Sequence, residues 1–108
     1  MRQIITFNKE INLKDQISSI VSISIDHEER IASSEINGDF IIKGEYKTHD
    51  DTTEITPFQY RIPYNMILPE SIKEETINVE IDNFTYDIKN NNLIVNIYYI
   101  VNGEEQER

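Results

Sequence analysis

The stretch INVEIDNFTYDI, residues 77–88, decides the class of fold by breaking its own pattern. Its first apolar residues are Ile77, Val79 and Ile81; after Asp82-Asn83 they are Phe84, Tyr86 and Ile88. Apolar residues at every second position mark a strand with one buried face. A change of phase by one residue would turn that face outward. A β-bulge reconciles the halves, because one extra residue lets the later side chains resume on the same core. The sequence therefore predicts a bulge or sharp bend at Asp82-Asn83, with both apolar sets inside. The alternative is a strand that crosses from one sheet to another at that point.

The same period recurs along the chain. Val21, Ile23 and Ile25 alternate with serines, Phe40, Ile42, Gly44 and Tyr46 share a phase, and so do Leu93, Val95, Ile97, Tyr99 and Val101. The β-branched and aromatic content fits pleated sheet better than helix. Turn signals separate the runs. Asn37-Gly38 favours a tight hairpin, and His49–Thr52 and Lys89–Asn92 mark further turns. Strands are expected near 2–12, 17–26, 29–36, 39–48, 53–62, 76–88 and 92–102. Pro63 and Pro69 should interrupt any ladder, Pro57 points to a sheet edge or bulge, and Glu70–Lys73 suits one helical turn. The expected fold is all-β: a single-domain antiparallel β-sandwich of about seven strands over residues 1–108, with 103–108 a frayed acidic tail.

Charge and composition narrow the function. The chain has 20 acidic and 10 basic residues, a formal charge of −10. That field repels phosphate backbones and anionic lipid, so nucleic acid and membrane surfaces are poor partners. There is no cysteine, hence no disulfide, thiol nucleophile or cysteine metal site. The N-terminal MRQIITFNKEINLKDQ lacks the apolar core of a signal peptide, and no run is long enough to span a bilayer. A soluble cytoplasmic chain without membrane insertion is expected.

Catalytic signals are sparse. His27 and His49 are the only histidines, each among carboxylates, in Asp26-His27-Glu28-Glu29 and His49-Asp50-Asp51. Neither has the spacing of a zinc motif or a calcium loop. The glycines Gly38, Gly44 and Gly103 are scattered, so no phosphate-cradling loop exists, and no Gly-x-Ser-x-Gly elbow occurs. The expectation is a non-enzymatic chain with no cofactor and no metal. A ligand-binding or hydrolytic role would need the two acidic segments, both expected in loops, to converge.

The last strand is apolar on both faces. Ile94, Tyr98 and Ile100 stand opposite the core set, so this face is either covered or offered to a partner. Tyr98, Ile100, Glu104 and Glu105 are therefore the candidate protein-interaction residues. An open sheet edge would add a strand from a partner, and residues 2–12 could be donated between protomers, giving self-association by strand exchange. An acidic chaperone-like or adaptor protein, holding clients on an exposed apolar β surface, is the competing reading.

Five segments follow one another along the chain: SISID (22–26), FIIKGEY (40–46), FQYRIP (58–63), VEIDNFTYDI (79–88) and LIVNIYYIVNG (93–103). Their succession resembles the N-terminal domain of the spore-coat morphogenetic family of stage VI sporulation protein D. The resemblance implies a non-catalytic scaffold module for spore-coat encasement, acting in the mother-cell cytoplasm with other coat proteins as partners. It carries no catalytic residues over, and Gly44, Pro63, Phe84, Tyr86 and Gly103 correspond to structural positions. This chain departs from the family in its short connection between Tyr46 and Phe58, and it is expected to be either an excised domain or a stand-alone relative of the full-length proteins, which carry a long acidic region and a cell-wall-binding module.

Overall fold

The computed structural model describes residues 1–13 and 16–106. Among these, the chain forms β1 (Arg2–Ile11), β2 (Ser19–Ala32), β3 (Glu35–Lys47), β4 (Thr56–Ile67), β5 (Asn78–Lys89) and β6 (Asn92–Asn102), with one 3-10 turn at Glu74–Thr76. The strands make two antiparallel three-stranded sheets, ordered β1-β6-β5 and β2-β3-β4. The long strands draw the molecule out to 64 × 19 × 18 Å with a radius of gyration of 17.1 Å. A compact chain of this length would have about 13 Å.

Side chains from both sheets build one apolar core. Phe40 is fully buried on β3; its ring lies 4.4 Å from Tyr64 of β4 in a stack and 5.1 Å from Tyr99 of β6 edge-on. Phe7 of β1 approaches the same ring at 5.8 Å. Ile11, Ile36, Ile42, Ile62, Leu68, Val79, Leu93, Val95, Ile97 and Val101 complete the buried set. With contacts from both sheets on one ring, truncating Phe40 to alanine is expected to cost about 3–5 kcal/mol.

The bulge at residues 82–83 is present. The β5–β6 register passes from Ile81↔Tyr99 to Asn83↔Tyr98, so Asp82 is the extra residue. Val79 is buried, and Ile77, Ile81 and Phe84 pack against the core on either side of it. Tyr86 is a correction: it follows the expected phase opposite Val95, yet is 45% exposed because β5 is an edge strand.

Among the described residues there are six strands rather than about seven. The segments expected at 17–26 and 29–36 are mostly one strand, β2, and the hairpin to β3 falls at Ser33-Ser34 instead of Asn37-Gly38. Both serines have positive φ, 53° and 59°. Asn37 and Gly38 lie inside the ladder, opposite Arg30 and Glu29. A second bulge, at Val21, separates Ile20↔Tyr46 from Ser22↔Glu45. Pro63 does not interrupt a strand; it and Pro57 sit within β4, an edge strand of unbroken register. The two prolines are six residues apart, so their nitrogens point the same way, and on an edge the outer side needs no donor. The helical turn forms at Glu74–Thr76, beyond the expected 70–73.

The acidic tail is held rather than frayed through Gln106. Lys73 N–H donates to Glu104 O at 2.9 Å, Gln106 N–H to Ser71 O at 2.6 Å, and Ile72 bridges Glu105. Thr76 Oγ1 accepts the Glu104 N–H at 2.8 Å while donating to Lys73 O at 2.7 Å. Residues 107–108 of the expected tail lie outside the described residues.

Candidate interaction surface

Tyr98 and Ile100 project from the central strand β6 on the face away from the core. Tyr98 stands between Thr6 of β1 and Asn83 of β5; Ile100 stands between Ile4 and Glu80. Tyr98 is half-buried, and Ile100 is only 8% exposed, so little of it is left for a partner. The apolar group that this face does present is Ile4, 68% exposed directly across from Ile100. The doubled isoleucine at 4 and 5 was its signal, since two adjacent apolar residues in a strand must point to opposite faces. Glu104 and Glu105 lie beyond the end of β6 with their side chains exposed, their backbones engaged by residues 72–76. The four candidates thus form two groups, an apolar pair on the sheet face and an acidic pair at its end.

Each sheet leaves two free edges, and these are not alike. β4 carries two prolines, β5 is bulged at Asp82, and β2 is bulged at Val21 and bears the charged run Asp26–Arg30. Prolines, bulges and charges are the devices that keep a strand edge from pairing with another chain. The β1 edge has none of the first two. Its register to β6 is unbroken from Arg2 to Ile11, and Gln3–Asn8 is uncharged.

The two acidic segments do not converge. Asp26–Glu29 lies within β2, not a loop, so alternate residues take opposite faces. His27 and Glu29 point to the core side, and Glu28 points outward to Arg61 at 3.2 Å. Arg61 also reaches Asp39 at 3.1 Å, and Glu28 together with Asp39 raises its pKa further. His49–Asp51 sits past the end of β3, where Asp50 accepts a hydrogen bond from Ser18. Six ladder steps separate Ser19, which pairs with Lys47 at that end, from Asp26, which pairs with Ile41, roughly 20 Å at the usual strand rise. Among the described residues no three histidine or acidic groups gather as metal ligands.

His27 and Glu29 instead enter an internal network. Tyr64 Oη donates to Glu29 Oε1 at 3.1 Å, and His27 Nδ1 meets the same oxygen. Burial first, and then the Glu29 carboxylate, push the Tyr64 phenol far above its ordinary value, while burial raises Tyr99. A phenol held protonated against a carboxylate is a weak acid and a poor nucleophile; here it bridges β4 to β2. A surface depression of about 430 Å³ between Lys43, Gly44, Pro57, Phe58 and Gln59 contains one cation and no carboxylate. It offers no acid–base pair.

No helix among the described residues is long and apolar enough to cross a membrane. Compared with known proteins, the chain matches no family model, no curated protein and no solved structure.

Proposed function

We propose that this chain is a non-catalytic protein-interaction domain, its two sheets the layers of a β-sandwich, which joins other chains through the β1 edge and the adjoining face of β1-β6-β5. The observation that carries the reading is the β1 edge, long and regular where the other three are blunted, with Ile4 exposed beside it. Such an edge offers main-chain hydrogen bonds for affinity, and alternate side chains for selectivity. A role as scaffold in assembling a spore-coat-like layer rests on the resemblance carried by the order of the five motifs that end at Gly103. Two of the motif residues are architectural here: Gly44 admits Phe58, and Gly103 packs on Ile72 and Ile77.

The test is retention of proteins from the source organism on the tagged chain, with Ile4→Ser/Tyr98→Ser as comparison. The reading predicts a small, discrete set of structural proteins, lost with the double variant. A broad set of partly unfolded proteins would favour the chaperone-like adaptor, for which the acidic charge is the supporting feature. No specific retention would overturn both.

A further inference from the structure

The β1 edge is self-complementary, and we infer that two copies of this chain pair through it, β1 against β1, to form one continuous six-stranded sheet. The inference rests on the interaction-domain reading and names its first partner.

The hydrogen bonds at the start of β1 fix which of its backbone groups are free. Met1 and Gly103 exchange both hydrogen bonds, N–H to O at 2.6 Å one way and 3.0 Å the other. In an antiparallel ladder such doubly bonded pairs alternate with non-bonded ones. With the β1–β6 register unbroken, the odd residues of β1 bond to β6. Arg2, Ile4, Thr6, Asn8 and Glu10 therefore direct their N–H and C=O groups away from the sheet. A second β1 must present its own even residues to these groups, so only registers that pair even with even are allowed.

Among those registers, the one centred on Thr6 uses the whole strand. It sets Thr6 against the partner's Thr6, Ile4 against the partner's Asn8, and Arg2 against the partner's Glu10. On the core side it sets Ile5 against the partner's Phe7, and both residues already pack on the core of their own chain. Opposite charges directly across a strand pair are favourable, and so are aromatic–β-branched pairs. Sliding the register by two residues either way separates Arg2 from Glu10 and shortens the overlap. The two-fold axis makes every pair except the central one at Thr6 occur twice. Each chain carries a charge of −10, which opposes association at long range. β1 itself bears Arg2 and Lys9 against Glu10, a local balance of +1. At physiological ionic strength the wider repulsion is screened beyond about 8 Å.

The experiment is sedimentation equilibrium on the full chain and three variants, with far-UV circular dichroism as the check on folding. Thr6→Pro removes an N–H that β6 does not use and should abolish the dimer while leaving the chain folded. Arg2→Glu places like charges together at both ends and should weaken the dimer about tenfold. Arg2→Glu/Glu10→Arg exchanges the charges and should restore it. A chain monomeric at all concentrations, or a dimer indifferent to these changes, overturns the inference. The latter includes exchange of β1 between protomers, because exchanged strands would still bond to β6 through their odd residues. Discrete partners retained by a monomeric chain would leave the interaction-domain reading standing while this inference fails. A charge-sensitive dimer that retains no other protein would do the reverse.

Discussion

Tyr64 stands directly opposite Gly38 and fills the space that a side chain there would take: a Cβ on Gly38 would lie 2.5 Å from the Tyr64 ring. The bare glycine lets the ring cross β3, stack on Phe40 and reach Glu29 on β2. Gly44 repeats the arrangement with Phe58, and there a Cβ would also meet the backbone oxygen of Ser22 at 2.3 Å. The two glycines of the central strand are thus paired with aromatics of the edge strand.

Alanine at either glycine is expected to destabilise the fold, and Gly44→Ala more than Gly38→Ala. A ring can swing aside, whereas a backbone oxygen moves only with its strand. Overpacking of this kind costs about 1–3 kcal/mol. Urea denaturation of both variants gives the order.

Tyr64→Phe leaves the stack on Phe40 but removes the bond to Glu29, for an expected loss of about 1–2 kcal/mol. It also changes the alkaline response. The folded-state pKa of Tyr64 lies above its unfolded value of 10.0, so the folded chain holds this proton more tightly. Its contribution is complete below about pH 10 and is lost as pH rises through the folded value. Stability followed from pH 9 upward should therefore fall less steeply in Tyr64→Phe than in the parent chain.

Deleting Asp82 should be tolerated within about 1 kcal/mol, because Ile81↔Tyr99 and Asn83↔Tyr98 then become neighbours in a regular ladder. Deleting Glu80 should not be. The displaced strand would put Asp82 on the core side against Tyr99, at a cost of roughly 3 kcal/mol or more. Thermal melting of the two deletions separates the outcomes.

The legible parts of this fold are those in which one strand reports its own burial. β1, β5 and β6 fall within a residue or two of their expected limits, and the phase change around Asp82 marked its bulge. Val21 carries the same signal: Ile20 and Ile23 lie on opposite phases, both packed on the core, with the extra residue between them. The signal is masked because Val21, Ile23 and Ile25 alternate by themselves, yet Val21 is 46% exposed. The hairpin was misplaced for a tertiary reason. Asn37-Gly38 is the stronger local turn signal, but Gly38 is needed extended, as the seat of Tyr64. Two serines accept the positive φ angles instead. Of the candidate surface, Tyr98 and Ile100 were visible from the doubled apolar face of β6. Ile4 was not singled out, since which side of β1 is left open depends on its pairing with β6.

If another chain adds at the outward edge of β1, amide hydrogen exchange of the full chain on dilution shows it most directly. In dilute solution Ile5 and Phe7 should be protected, while Ile4, Thr6 and Asn8 exchange freely. As concentration rises, those three amides should become protected together. Free exchange at Ile4, Thr6 and Asn8 at every concentration, with and without retained partner proteins, would contradict it.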